Sequence, residues 1–395
     1  MSQRPSAGKN SKARGLILLL MGAVLFFGEP AFHYLDTRLQ DLWVRLRVAS
    51  QLPLEHPWLA NLVRFFPIDS LAGDIILVMA DDRAYLGLPE AQPWHRGRVW
   101  AKIIRHLAGG KPKAIGIDVF FSQHSAYDPD QDQQMADACR EAGNVVLIGY
   151  RRLNQTMTPP FPLLAQSCLV APPYFYPYID ESVRKASMVF RPREGDPIPA
   201  FATELARLYL GITRQQIEYP PDAVVFHLAS EDYRIPVADH ENILINYSAL
   251  MSTIPRFSLL DLYNGKIDPT IFAGKIVMIG WGSSMKEDRF LTPTGQPEYG
   301  VLIHAMTLQN ILSRKFLIPP PEWQGTALGF FLLALSLLVL SRIAPMRYGI
   351  LTLVLGGSLL TCSMAGFLAW QKPIEVTAGL FSLILTYIFT VGLKY

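Results

Sequence analysis

ILVMADDRAYLGLPEAQPWHRGRVWAKIIRHL (Ile76–Leu107), followed after AGGKPK by AIGIDVFF (Ala114–Phe121), is the stretch that decides the fold. Two β-branched apolar runs that close on acidic residues enclose an amphipathic segment, Arg98–Leu107, whose apolar positions recur at helical spacing. A strand, a crossover helix and a second strand make the repeating unit of a parallel sheet. The alternation continues outward: strands are predicted at Ile75–Ala80, Ala114–Phe120, Asn144–Gly149, Ile243–Asn246 and Lys275–Gly280. Helices are predicted at Arg98–Leu107, Asp132–Ala142, Ala200–Tyr209 and Val301–Ser313. The fold class is therefore α/β, a mostly parallel sheet with helices on both faces. Proline-rich TPPFPLL and APPYFYPYID read as ordered surface excursions, so Arg151–Asp239 is expected to be an insertion in one domain rather than a second domain.

Around that domain the composition changes. Half of the 395 residues are apolar and the mean hydropathy is +0.21. From Trp323 onward, long apolar stretches follow one another with hardly a charge. A membrane helix needs about 20 mostly apolar residues. Four stretches qualify, 15–35, 324–341, 349–369 and 374–392, leaving 1–14, 36–322 and 393–395 outside the bilayer. Positive residues in short loops stay on the cytoplasmic side. Lys9, Lys12 and Arg14 precede the first span, Arg342 and Arg347 separate the second from the third, and Lys394 follows the fourth. The expected protein is thus a multi-pass protein of the inner (plasma) membrane, in contact with lipid, with 36–322 in the periplasm or outside and both termini cytoplasmic. The first span reads as a retained anchor, because no small-x-small cleavage site follows its apolar centre. Glu29 and Glu375 fall near span ends, as interfacial carboxylates do, and no span carries the charge series of a transporter.

The charge balance, 36 Lys+Arg against 33 Asp+Glu, offers no basic stripe interleaved with aromatics, which argues against nucleic acid as a partner. Three cysteines without a CxxC suggest neither a zinc site nor a disulfide scaffold. Cys139 and Cys168 read as small buried thiols, with a disulfide between them as the alternative outside the cell.

In open α/β sheets, ligands sit beyond the carboxyl ends of the strands. Asp81 and Asp82 follow one predicted strand and Asp118 lies at or near the end of the next; Gly280, Gly282, Ser283 and Ser284 stand at the end of KIVMIG and just past it, where small residues let backbone N–H groups reach a polar ligand. The competing structural readings are helix caps for the aspartates and a plain tight turn for GWGSS. No phosphate loop, dinucleotide fingerprint, HExxH or GxSxG accompanies them.

The order of motifs resembles a known family. LQDLWVRLR (Leu39–Arg47), the strand, acidic pair and Trp94–Arg96 segment, AIGIDVFFSQ with DPDQD behind it, and FATELARLYLG come first. FSLLDLYNGKIDPTIFAGKIVMIG, EDRFLTP and YGVLIHAMTLQNIL follow, ahead of the apolar carboxyl portion. This sequence is similar to the type-2 CHASE domain, an extracellular sensory module of bacterial cyclases and kinases, from Leu35 to Tyr395. Asp288, Pro293, Gly300, His304 and Ala305 stand at its recurrent positions, whereas FRPREGDPIPAFATELA lacks the usual DG..R turn.

The resemblance implies a transmembrane sensor whose outer domain detects an extracytoplasmic signal and passes it through membrane helices. Its ligand-binding candidates are Asp81, Asp82, Trp94, Arg96, Asp118, Gly280, Gly282, Ser283 and Asp288, with no catalytic residue, metal or cofactor. Members usually continue into an adenylate or guanylate cyclase or a histidine kinase, and none of these lies in this sequence. The expected partners are therefore a second copy of the chain and a cytoplasmic cyclase or kinase, in cis beyond Tyr395 or in trans. Two alternatives stand beside it. One is an extracytoplasmic enzyme holding a hard cation on Asp81, Asp82 and Asp118, with His95 or His304 as base; the other is a membrane scaffold without a ligand.

Overall fold

A computed structural model of the chain describes residues 19–51, 73–89, 94–152, 155–248, 251, 253–339 and 343–392. Lys9, Lys12, Arg14, Arg342 and Lys394, which carried the orientation, lie outside the described residues, as do the expected terminal segments 1–14 and 393–395. Two units divide the chain, Arg47–Leu317 and the pair of segments Met1–Leu46 and Ile318–Tyr395.

The larger unit is organised by six parallel strands: β1 (Ile75–Asp81), β2 (Ala114–Ile117), β3 (Val145–Ile148), β4 (Leu169–Ala171), β5 (Arg256–Ser258) and β6 (Ile276–Gly282), in the order β5-β1-β6-β2-β3-β4. Residues of β1 from Ile75 to Asp81 lie opposite Ile276 to Gly282, and Ile276 lies opposite Ala114 on the other side of β6. The central strands are apolar at nearly every position because they are covered on both faces, as parallel sheets are.

Side chains alternate between those faces. Ile76, Val78, Ile115, Ile117, Val145, Leu147, Val277 and Ile279 join one core with Trp100, Ile103, Ile104, Leu107, Met135 and Cys139. These helical residues come from the π-helical turn Arg96–Ala101, which runs into α3 (Lys102–Gly109), and from α4 (Pro129–Ala142). α4 is well delimited: the Asp128 side chain accepts from Asp130 N–H, proline occupies the first turn, and Gly143 at φ +72° ends it in the left-handed conformation. The opposite face carries α5 (Phe201–Leu210) and α7 (Gly300–Ser313), with the short α2 (Asp82–Gly87) and α6 (Leu259–Tyr263) completing this unit and α1 (Glu29–Gln51) leading into it. A Cβ on Gly116 would stand 2.8 Å from Leu205 and Phe201, and one on Gly280 would stand 2.4 Å from the Cβ of Val301. Glycine is what lets both helices approach the sheet.

Several expectations need correction. Ile243–Asn246 belongs not to the parallel sheet but to an antiparallel one, where Asn242–Leu244 pairs with Val183–Ser187. β4 and β5, only three residues each, were not anticipated, since three residues carry no readable period. β2 ends at Ile117 rather than Phe120, its last ladder bond being Asp118 N–H to the Ile279 carbonyl at 2.8 Å. β6 runs on through Gly282, so GWG is strand and not the turn after one. The stretch Arg151–Asp239 does hold an antiparallel meander, Ile217–Glu218, Ala223–His227 and Asp232–Pro236, yet it also supplies β4 and α5 to the core.

The second unit is helical. Residues 19–27 are helical, Gly28 N–H bonds to the Val24 carbonyl at 2.8 Å, and α1 continues without a break through both the expected span end and LQDLWVRLR. α8 (Gln324–Val339), α9 (Pro345–Trp370) and α10 (Thr377–Gly392) follow. Met21, Leu25, Leu333 and Ala378 form a small core between them. Asp36 accepts from the N–H groups of Val376 (2.8 Å) and Thr377 (3.1 Å) and from the Thr377 hydroxyl (2.7 Å), capping α10 from another helix. Trp43 Nε1 donates to Ser363 Oγ at 3.3 Å.

Of the four expected spans, α9 alone among the described helices is long and apolar enough to cross a membrane, at a mean hydropathy of 1.8. α8 and α10 are apolar, with 16 residues of each described. At 1.5 Å per residue the described part of each covers about 24 Å of a hydrocarbon core of about 30 Å.

Candidate functional site

The sheet order places a crevice. β6 and β2 are neighbours, yet the chain leaves them towards opposite faces: β2 leads to α4 on one side, and β6 leads through the hairpin Arg289–Leu291/Pro297–Tyr299 to α7 on the other. Diverging connections open a gap beyond the carboxyl ends of the two strands, the position where open α/β sheets bind ligands. Two adjoining cavities lie there, of about 410 and 200 Å³, sharing Phe120, Tyr150, Trp281 and Lys286 as walls.

Asp118, the first residue past β2, and Asp288, ahead of the hairpin, line the smaller cavity. Asp118 is 9% exposed. Burial pushes its carboxyl up to about 8, with the negative charge of Asp288 adding to the effect, and no donor or cation among the described residues offsets it. Asp288 is also raised by burial, partly countered by the backbone N–H of Gly300. Tyr150 is raised by burial and then by the two carboxylates. At neutral pH the pair therefore holds a proton and a charge in a poorly solvated place.

The larger cavity is aromatic. Trp94 is 3% exposed and lies 5.8 Å from Trp281 and 6.0 Å from Trp100, centroid to centroid. Phe120 meets Tyr150 edge to face at 4.5 Å. Lys286 Nζ stands 5.0 Å from the Trp281 centroid, a cation–π contact. Arg96 also lines this cavity, but its guanidinium is spoken for: it donates to Asp132 and to the Gln123 carbonyl. Asp132 in turn accepts from Ser125 N–H at 3.0 Å. A buried charge pair thus holds the loop after β2 in place as a wall of the cavity.

The remaining residues singled out in the sequence have partners elsewhere. Asp81 caps α2 by accepting from Ala84 N–H at 2.9 Å, and it accepts from Ser258 Oγ at 2.8 Å. Asp82 accepts from Ser283 Oγ (2.5 Å), Ser284 N–H (2.9 Å) and Ser284 Oγ (3.0 Å), tying the ends of β1 and β6 together. These bonds hold its carboxyl below the usual range. Gly280 and Gly282 serve close packing, the latter beneath Met79. His304 is buried between the rings of Phe175 and Phe201, bonded to the Pro173 carbonyl, and burial lowers it to about 3, so it stays neutral. His95 stacks on Tyr127 at 3.6 Å. Asp81, Asp82 and Asp118 therefore do not converge, and no group of three or more potential metal ligands occurs among the described residues.

Of the nine candidates, Trp94, Arg96, Asp118 and Asp288 come together at the crevice. Phe120, Tyr150, Trp281 and Lys286 were missed; their only sequence signal is that Trp281 is the penultimate residue of a strand and the other three follow closely on the end of one. No curated protein and no solved structure matches the chain. The CHASE2 domain does match, over residues 16–340. The chain belongs to the CHASE2 domain family, a family of extracellular sensory domains.

Proposed function

We propose that this chain is the sensory and membrane portion of a transmembrane receptor. The crevice beyond β2 and β6 takes up an extracytoplasmic ligand, and the change it favours passes through the membrane helices to a cytoplasmic cyclase or kinase in cis or in trans. The observation that carries the reading is Asp118: an uncompensated buried carboxyl at the switch point of a sensory domain destabilises the fold, and a ligand that satisfies it supplies the differential affinity a sensor needs. The domain runs from 36 to 322, and the protein works as a homodimer, with α1 and the segment from Ile311 to Leu317 as the carriers of the shift.

A multi-pass arrangement with both termini cytoplasmic is part of this reading. Only 22% of the apolar window of α9 is buried, and Leu353, Phe331 and Ile388 on α9, α8 and α10 are 77%, 61% and 58% exposed. Such apolar surface favours a lipid environment. Reporter fusions test it: one at Arg347 should report the cytoplasm and one at Gln371 the outside, and the reverse would overturn the topology. For signalling, the cyclase or kinase output is measured in cells carrying Asp118→Asn or Trp281→Ala. A shifted output at normal protein level is expected; unchanged output in both removes the crevice from the mechanism.

A further inference from the structure

We propose that the crevice takes an organic ammonium ion, its charged nitrogen between Asp118 and Asp288 and its carbon chain against Trp281, Phe120 and Tyr150. The inference rests on the reading of this crevice as the sensing site. Among the described residues, no arginine or histidine lines the cavity beside Asp118 and Asp288, and the one cation on its wall, Lys286, is directed to an aromatic ring. A neutral or anionic ligand leaves that imbalance standing, whereas an ammonium offers charge and several donors to two acceptors at once.

The aromatic walls agree with this choice. An alkylammonium is already in contact with this wall, because Lys286 Nζ lies 5.0 Å from the Trp281 centroid. A second observation concerns the far end of the ligand. Trp94 lines the larger cavity, is 97% buried by its 3% exposure, and its indole N–H has no partner among the described residues. A buried donor of this kind calls for an acceptor, so the ligand carries an oxygen or nitrogen acceptor away from its charged end. An anionic group is disfavoured there, since Arg96 is neutralised by Asp132. The cavity volumes suit a molecule of a few carbons.

Asp288, Tyr150, Lys286 and Glu287 are the titratable groups that share the smaller cavity with Asp118. Seating a cation among them favours the doubly ionised carboxylate pair, so uptake of the ligand at neutral pH expels a proton from Asp118.

The test is calorimetry on the full chain in detergent micelles with three probes of equal length: 4-aminobutan-1-ol, 1,4-butanediol and succinate. The amino alcohol, with its ammonium at one end and a hydroxyl acceptor at the other, is expected to bind, to release a proton seen as a dependence of the heat on buffer ionisation, and to change tryptophan fluorescence. Asp118→Asn should weaken the amino alcohol by about tenfold or more, the scale of a lost charge-assisted contact. Lys286→Gln should strengthen it by removing a like charge. Butanediol or succinate binding as tightly as the amino alcohol overturns the assignment, as does amino alcohol binding that is absent or indifferent to Asp118→Asn. If the amino alcohol fails while Asp118→Asn and Trp281→Ala still shift the signalling output, the ligand class falls and the crevice remains the sensing site; if both fail, the site falls too.

Discussion

Replacing Asp118 by asparagine keeps the shape of the side chain and removes its titration. The folded-state carboxyl is raised from 3.8 to about 8. Between those values the folded protein holds a proton that the unfolded chain has released, so the contribution is fully present below 3.8 and is lost as pH rises towards 8. Each pH unit in that window is worth up to 1.36 kcal/mol, so wild type loses about 3 kcal/mol at most between pH 5 and pH 7 through this group. Asparagine adds a fixed offset for its own unmet amide, but no slope. The variant is therefore expected to gain on wild type as pH rises, by about 5 °C in Tm or more across that interval for a unit of this size. Thermal unfolding of both proteins in detergent, followed by tryptophan fluorescence at pH 5, 6 and 7, measures it. Carboxyls away from the pair, Glu298 raised and Asp82 and Asp261 lowered, are common to both proteins and cancel in the difference. A Tm difference that is constant with pH, or that moves against the variant as pH rises, refutes the reasoning.

Three further outcomes follow from the packing. Gly280→Ala puts a Cβ against Val301 and should lower stability by about 1–3 kcal/mol, whereas Gly109→Ala, with open space around it, should be neutral or gain up to about 1 kcal/mol; chemical denaturation of the two variants compares them. Asp132→Ala leaves the Arg96 charge buried without its partner, for an expected loss of about 3–5 kcal/mol in the same assay and an altered tryptophan emission from the cavity wall. The thiol of Cys168 is raised by its hydrogen bond with Cys139 and by burial. It should resist maleimide at neutral pH until the protein is denatured, and rapid labelling at Cys168 in a folded Cys362→Ser variant, which lacks the exposed thiol, would contradict the contact.

Much of the scaffold is written locally. β1, β2, β3 and β6 are β-branched runs flanked by Gly, Asp or Asn, α4 carries its own cap, proline and terminal glycine, and α9 is a continuous apolar helix; each signal lies within a few residues and survives without knowledge of the rest. β4 and β5 are different, because a three-residue strand such as LVA or RFS is held by the neighbour it pairs with.

The site divides in the same way. Asp81 and Asp118 look alike along the chain, each an aspartate closing an apolar strand. Asp81 finds Ala84 N–H three residues on and Ser258 across the sheet, and so becomes a cap; Asp118 finds Asp288, and so becomes a buried carboxyl that keeps its proton at neutral pH. That distinction is set by residues 170 positions downstream. Residue type and strand-end position were legible in one dimension because they depend on local backbone preference and on apolar periodicity. Whether a carboxylate is satisfied or stranded was decided only in three dimensions, since desolvation and charge pairing depend on which distant segments the strand order β6-β2 brings to its side.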